Sequence, residues 1–394
     1  MKVMAVNAGS SSLKYQLLSM PDETVISSGL VERIGNDNGM FTMKVGDQKF
    51  VYELPIKDHK VGVDLVLKAM LERGVVKSLN DIKSVGHRVV QGGELFKDSV
   101  VIDDEVINKI ASLIDLGPLH NPAHIVGMKA FKEVLPNVLQ CAVFDTTFHQ
   151  TMEDVAYMYA TPYEWYKKYG VRKYGAHGTS HLYVSKRAIQ LLGKKKSKII
   201  VCHIGNGASL CAVKNGISVD TSMGLTPLDG IPMGTRTGAV DPTVVEFIHK
   251  KEGKSVEEIT SILNKKSGYL GVSEVSHDSR DVESAAKSGN AKAKLALDLQ
   301  AKRIADYIGS YYVFMEGLDA ICFTAGIGEN SSYVRELVCN RLGVLGVKLD
   351  NDLNNTRGKE ALISTSASKV KVYIIPTNEE VMIARDVVRL SKSK

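Results

Sequence analysis

Short apolar runs that break at small, polar, glycine-bearing turns recur along this chain. Val3-Met4-Ala5-Val6 reads as a buried strand. It breaks at Asn7-Ala8-Gly9-Ser10-Ser11-Ser12 and resumes as Leu13-Lys14-Tyr15-Gln16-Leu17-Leu18. Two strands joined by such a turn aim backbone N–H groups and serine hydroxyls at one spot. That suits an anion such as a terminal phosphate, with Lys14 adding a full charge. An ordinary hairpin with a polar tip fits the same segment. The device returns at Ile199–Ile204, which runs into Gly205-Asn206-Gly207-Ala208-Ser209 and then Leu210–Val213. Asn215-Gly216 predicts a tight hairpin into Ile217–Val219. Ala320–Thr324 opens into Ala325-Gly326-Ile327-Gly328-Glu329-Asn330, with a helical pattern after it. A lone Gly-x-Gly is weak evidence. Three strand-to-glycine junctions, two of them followed by a second strand, predict a duplicated phosphate-binding fold that clamps a nucleotide between its halves.

Between these landmarks strand and helix patterns alternate. A strand at 84–90 precedes a helix over 103–116, with Asp103 and Asp104 at its start and Gly117-Pro118 as its stop. Asn121-Pro122 is expected to cap a second helix whose apolar face is Ile125, Val126, Phe131, Val134 and Leu135. That helix ends at Pro136, and a strand Val138–Phe144 follows. This is an α/β arrangement with helices covering a sheet. Residues 150–180, rich in Tyr and Lys, lead into a second unit beginning near residue 151. It repeats the theme with strands 198–204, 209–213 and 320–324 and long helices near 291–316. Thr377-x-x-Glu380 reads as a capping box opening an amphipathic helix over Asn378–Leu390.

Composition narrows the class. With 394 residues the chain has room for two or three domains, and 44% hydrophobic with 24% charged residues is the make-up of a soluble globular enzyme. Lys194-Lys195-Lys196-Ser197-Lys198 carries no interleaved aromatics, so it reads as a solvated loop and no nucleic-acid partner is expected. The net charge of +6 suits substrates that are all anions. Five cysteines, odd in number, without a Cys-x-x-Cys pair and three of them in apolar strands, point to a reducing compartment. Strand and turn begin at Met1, and no apolar stretch approaches about 18 residues, so a cytoplasmic chain with no leader and no membrane span is expected.

The motifs VNAGSSSLK (6–14), GHRVV (86–90), FDTTFH (144–149), YGAHGTSH (174–181), HIGNGAS (203–209), MGTRTG (233–238), FTAGIGEN (323–330) and PTNEE (376–380) run in order along nearly the whole chain. Together they resemble the acetate kinase family, within the acetate and sugar kinase, Hsp70 and actin superfamily. The resemblance implies a duplicated actin-like (ribonuclease H-like) two-domain α/β fold with the active site in the interdomain cleft. Its first domain would be 1–150 plus 380–394, on the acceptor and Mg²⁺ side, and its second 151–379, carrying the nucleotide and the interface of a homodimer. It implies reversible transfer between ATP and acetate, giving acetyl phosphate and ADP, with Mg²⁺ (or Mn²⁺) as cofactor.

Phosphoryl transfer needs positioning and charge neutralisation more than covalent chemistry. A carboxylate acceptor is already ionised, so no general base is required and fixed cations become the central demand. Arg88, at the end of its strand, offers a planar fork suited to a carboxylate, unless it makes only a surface salt bridge. Arg236, in a glycine-flanked loop, is similar to an arginine finger supplied in cis. His177 and His181 have i, i+4 spacing but lack the Glu and third ligand of a zinc site. Thr179 or Ser180 reads instead as the N-cap of a helix over Leu182–Leu192, which puts His177 before a positive helix end. By resemblance His177 stabilises the transition state, and His181 reads as structural. Asp145 ends a strand at the ligand edge of a sheet, or else caps the Thr146-Thr147 segment. The family makes it an essential acid, and ordering Mg²⁺ with its water shell is the role preferred here. By resemblance Glu379 would hold the metal with Asn7, unless it is only a favourable first-turn charge.

The nucleotide set expected is Lys14, His203, Ile204, Gly205, Asn206, Gly207, Asp278, Ser279, Arg280, Gly326, Ile327, Gly328, Glu329 and Asn330. By resemblance, Val90, Leu119 and Pro227, with Arg88, would hold the acyl group. Three departures from the family pattern stand out. Gln91 replaces a frequent histidine, Ala239 a frequent acid, and Ala176 a frequent phenylalanine of the acyl pocket, which leaves room for one extra methylene. The alternatives are a propionate or butyrate kinase on the same scaffold and an actin- or Hsp70-like ATPase acting through partners. A sugar kinase would need a base and a polar pocket.

Overall fold

The computed structural model describes residues 1–392, in which the chain divides into two compact units, one of residues 1–147 with the segment from Asn378 onward and one of Phe148–Thr377. Each unit is built on one sheet.

In the first unit the strands are β1 Lys2–Ala8, β2 Ser12–Ser19, β3 Thr24–Glu32, β4 Met40–Val45, β5 Gln48–Glu53, β6 Ile82–Val89, β7 Val100–Val101 and β8 Leu139–Phe144, in the order β5-β4-β3-β2-β1-β6-β8-β7. In the second they are β9 Lys198–Ile204, β10 Ala208–Lys214, β11 Ile217–Thr221, β12 Ala320–Thr324, β13 Ala361–Leu362 and β14 Lys371–Ile374, in the order β11-β10-β9-β12-β14-β13. The pairing repeats. β1 is antiparallel to β2 and parallel to β6, which is parallel to β8, and β7 closes that edge antiparallel. β9 stands likewise to β10 and β12, β12 to β14, and β13 to β14. The duplication expected from the glycine junctions is therefore present as topology.

Burial follows strand position. β12 is buried along its whole length, as a central parallel strand covered on both faces requires. β4 and β5 alternate, burying Phe41 and Met43 and exposing Lys49 and Val51. No expectation from the apolar pattern covers β3, β4, β5 or the helix α1, His59–Glu72, which packs on this sheet through Val63, Val66, Leu67 and Met70. Strands with one wet face carry a weaker pattern than the continuous runs of β1 and β9.

Two helix boundaries here differ from expectation. The segment 103–116 splits into α2, Asp104–Ala111, capped by Asp103, and a short 3₁₀ turn, Ile114–Leu116. In α3, Asn121–Val134, the capping position is His120, because the Asn121 amide is spent on the Gln91 backbone. Val126 is exposed on this helix, and Ala123, Ile125, Met128 and Phe131 face the sheet.

The second unit contributes α4 Asp154–Tyr157, α5 Tyr163–Tyr169, α6 Gly178–Leu192, α7 Thr243–Glu252, α8 Val256–Lys265, α9 Gly268–Ser273, α10 Ser279–Lys287, α11 Ala291–Phe314, α12 Ala325–Asn330 and α13 Ser332–Cys339. The FTAGIGEN segment thus forms a helical turn itself, entered through Ala325 at φ +64°. α11 lies against the main core through Ala296, Leu297, Ala301, Ile304 and Ile308.

The chain then returns to the first unit as α14, Glu379–Ser391, packed on β1, β6 and β8. Its cap is Asn378, whose Oδ1 accepts from the Val381 N–H at 3.1 Å, not the expected Thr377. Thr377 instead bonds Ser180 through its hydroxyl. Gly86 on β6 makes the docking possible, since a Cβ there would lie 2.3 Å from Ile383 Cγ2.

Candidate functional site

In the first unit the candidate groups meet at the C-terminal ends of β1, β6 and β8, the edge where α/β sheets receive ligands. β6 and β8 pair through Arg88 and Val143, and the Asp145 N–H closes on the Val89 carbonyl at 2.9 Å. Arg88 and Asp145 are thereby brought together. Arg88 Nε donates to Asp145 Oδ1 at 3.0 Å and Nη2 to Oδ2 at 2.7 Å, a bidentate pair. Asp145 is fully buried and the Arg88 side chain is one-fifth exposed (20%), so the pair is neither the surface salt bridge nor the local cap weighed for them. Burial opposes the Arg88 charge, but Asp145 and Glu379 outweigh it and hold the guanidinium protonated. The Nη1 edge has no protein partner among the described residues.

Glu379 opens α14 beside this pair. Its Oε1 is buried without a hydrogen-bond partner among the described residues, and burial raises its pKa above the usual carboxylate value, partly offset by Arg88. An anionic oxygen in that position calls for a cation. Asn7 is the penultimate residue of β1, where its strand neighbour is Lys14. The 9–12 turn is closed by Gly9 N–H on the Ser12 carbonyl at 2.8 Å and braced by His59, whose Nε2 donates to the Gly9 carbonyl at 2.7 Å. Ser10 and Ser11 remain exposed. No motif marks His59, because the brace is a long-range contact. Lys14 binds Glu380 Oε1 at 2.5 Å.

Val90 is buried at the end of β6, whereas Leu119 is 54% exposed. Gln91 has a structural explanation. Its Oε1 accepts from Gly93 N–H at 2.8 Å and its backbone is held by Asn121, so it shapes the loop that follows Val90.

In the second unit His177 is itself the N-cap position of α6, in the left-handed region at φ 57° and ψ 20°. Thr179 and Ser180 lie inside the first turn, not at the cap, because Gly178 already begins the helix. A non-glycine residue held in this conformation stores strain that the surroundings must maintain. His177 Nδ1 bonds Ser209 Oγ at 2.9 Å, and its ring stacks on His203 with centroids 4.1 Å apart. His203 Nδ1 in turn bonds Ser180 Oγ at 2.8 Å. His181 is buried with Nε2 on the same Ser209 hydroxyl at 2.8 Å.

Among the described residues Arg236 has only neutral partners, the Pro227 carbonyl at 3.3 Å and the Met233 sulfur at 3.8 Å. Burial pulls its pKa below the ordinary arginine value, with no carboxylate to restore it. Its loop is set by glycine, since a Cβ on Gly234 would meet Asn206 Oδ1 at 1.9 Å. Gly207 faces both groups, with a Cβ position 3.5 Å from Arg236 Nη1 and 3.6 Å from His177 Nε2.

A cavity of about 870 Å³ in this unit is lined by Gly205, Asn206, Asp278, Ser279, Arg280, Gly326, Ile327 and Asn330 from the expected set. It also carries His277, Glu283, Ser284, Lys287, Ser331 and Arg357, which no motif marked. Its size is that of pockets for small-molecule ligands. The remaining members of the set are placed otherwise. Ile204 and Gly328 sit in the packing of β9 and β12, Glu329 accepts from the Ala325 and Thr377 N–H groups, and Lys14 does not line this cavity. Ala176 is buried within the main apolar cluster of this unit.

No cluster of three His, Cys, Asp or Glu side chains suited to a metal occurs among the described residues. Mg²⁺ needs only one or two carboxylates when it arrives with substrate phosphates, so Asp145 and the orphaned Glu379 oxygen fit it.

A family model described as the acetokinase family matches residues 2–385. Acetate kinase of Acholeplasma laidlawii (strain PG-8A) is 63% identical over 391 residues, covering 99% of both chains. Among solved structures, an acetate kinase from Porphyromonas gingivalis aligns at 46% identity with a TM-score of 0.94, covering 99% of each chain. A propionate kinase from Francisella tularensis subsp. tularensis SCHU S4 aligns at 42% identity, also with a TM-score of 0.94 and 99% of each chain. With the arginine, histidine and glycine motifs in place and the match extending from end to end, the chain belongs to the acetokinase family.

Proposed function

We propose that this protein catalyses reversible, Mg²⁺-dependent phosphoryl transfer between ATP and acetate, forming acetyl phosphate and ADP. The observation that carries the carboxylate acceptor is the Arg88–Asp145 clamp. Both Asp145 oxygens accept from one guanidinium edge, which fixes the direction in which Arg88 points. The opposite Arg88 edge is presented to an acceptor that is already an anion. Val90, Leu119 and Pro227 supply the apolar surroundings of its methyl group.

Arg236 and His177 donate to the oxygens of the phosphoryl group during in-line transfer, where charge spreads over three equatorial positions. The nucleotide occupies the cavity beside Gly205 and Gly326. Asn7, Asp145 and Glu379 are the groups that would hold Mg²⁺. Bound there, it neutralises phosphate oxygens. No helix among the described residues is long and apolar enough to cross a membrane. Five buried cysteines support a reducing cytoplasm. Phe247 and Val256, exposed on α7 and α8, support a homodimer formed through the second unit.

A coupled assay of ADP formation with acetate, propionate, butyrate and glucose tests the reading. Acetate should give the highest kcat/KM and glucose none above background. Propionate exceeding acetate would transfer the assignment to the longer acid. ADP release indifferent to any acceptor would make the protein an ATPase.

A further inference from the structure

His181 takes no part in the chemistry outlined above, yet it shares one serine hydroxyl with His177. Ser209 Oγ stands 2.8 Å from His181 Nε2 and 2.9 Å from His177 Nδ1. A hydroxyl has one proton, so Ser209 donates to one ring and accepts from the other. Which way it points is decided at the far side of His181, where Nδ1 is buried with no hydrogen-bond partner among the described residues.

The His181 ring stays neutral, because burial, reinforced by His149 and His203, pushes its pKa well below the usual histidine value. A neutral ring carries its one N–H on either Nδ1 or Nε2. On Nδ1 that N–H would be buried without an acceptor, an arrangement folded proteins rarely contain, whereas a bare acceptor nitrogen is tolerated better. The proton therefore sits on Nε2 and is donated to Ser209. Ser209 must then donate to His177 Nδ1, which leaves the His177 proton on Nε2.

We infer that His181 and Ser209 are positioning residues that hold His177 in its Nε2–H tautomer, so that it serves as a donor to the phosphoryl oxygens; this rests on the phosphotransferase reading above. The left-handed backbone at His177 and its stack on His203 fix the ring plane. Nε2 and Arg236 Nη1 both front the small space over Gly207. Two donors on one side are what an anion needs. A Nδ1–H tautomer would instead turn a lone pair toward that anion and repel it.

The full chain with ¹⁵N-labelled histidine permits a direct reading, since two-bond ¹H–¹⁵N couplings distinguish the tautomers without turnover. Signals of His177 are assigned by their loss in His177→Asn. Both His181 and His177 should appear as single Nε2–H species. In Ser209→Ala, His177 should exchange between tautomers, and kcat should fall roughly tenfold or more, milder than a triad forced into the wrong tautomer. The KM values for ATP and acetate should stay within a factor of three or so, and Ser209→Thr, which keeps the hydroxyl, should restore kcat. A Nδ1–H signal for His177 in the parent protein overturns the proposal. So does a Ser209→Ala protein that keeps the single Nε2–H species with undiminished kcat.

Discussion

Arg236 holds a partly buried charge answered by no carboxylate, an arrangement a folded chain tolerates poorly unless an anion visits. Arg236→Ala and Arg88→Ala should each lower kcat/KM by on the order of 10³ or more, as loss of an arginine clamp on a phosphoryl group does. Arg88→Ala should also destabilise the fold, because it leaves Asp145 buried and unpaired. Thermal melts recorded beside the kinetics separate the two effects, and Arg236→Ala activity within tenfold of the parent would remove it from the chemistry. Glu379→Gln takes the charge from the orphaned oxygen while keeping its size. The half-saturating Mg²⁺ concentration should rise several-fold in titrations of activity, and an unmoved value would assign the metal elsewhere. At Ala176 the packing gives a different expectation from the motif. The residue is enclosed by the core of the second unit, so Ala176→Phe should cost about 1–3 kcal/mol of stability as an overpacked site. A variant as stable as the parent, with its preference for acetate over propionate sharpened, would place that side chain in the acyl pocket instead.

Among the elements, α14 shows how a return of the chain depends on one absent methyl. Its Ile383 and Val387 side chains would lie 2.3 and 2.7 Å from a Cβ on Gly86. Gly86→Ala should therefore lower stability by about 1–3 kcal/mol or more, read as a shift in the urea midpoint, because β6 sits mid-sheet and cannot move aside. A midpoint equal to the parent's would mean the helix can slide over the strand. The strands with continuous apolar runs are legible in the amino-acid pattern, and so is the N-cap of α2 at Asp103. The caps of α3, α6 and α14 are not. In each, the expected capping residue is drawn into a distant partnership: Asn121 with Gln91, Ser180 with His203, Thr377 with Ser180.

Acid should unfold the whole molecule through its buried histidines. Burial lowers His87 from 6.5 to about 4 and His124 from 6.5 to about 3, and it lowers His181 well below 6.5. The unfolded chain takes up protons that the folded chain refuses, so stability from these rings is complete above the unfolded pKa and lost as the pH falls below it. Each contributes a slope of up to about 1.4 kcal/mol per pH unit in that window. Urea midpoints should fall from pH 7 to pH 5 more steeply for the parent than for His87→Gln, and identical slopes would show that His87 titrates normally when folded. What the sequence alone determined was local or repetitive. Continuous apolar runs set the most buried strands, the glycine junctions announced a duplicated fold, and the ordered motifs identified the family. Tertiary structure alone decided which side of Arg88 is taken by Asp145, that Glu379 presents an oxygen unanswered among the described residues, that Ala176 is buried in a core, and that Ser209 joins two histidines. These depend on side chains dozens or hundreds of residues apart along the chain, and a linear pattern carries no record of which of them will compete for the same hydrogen bond.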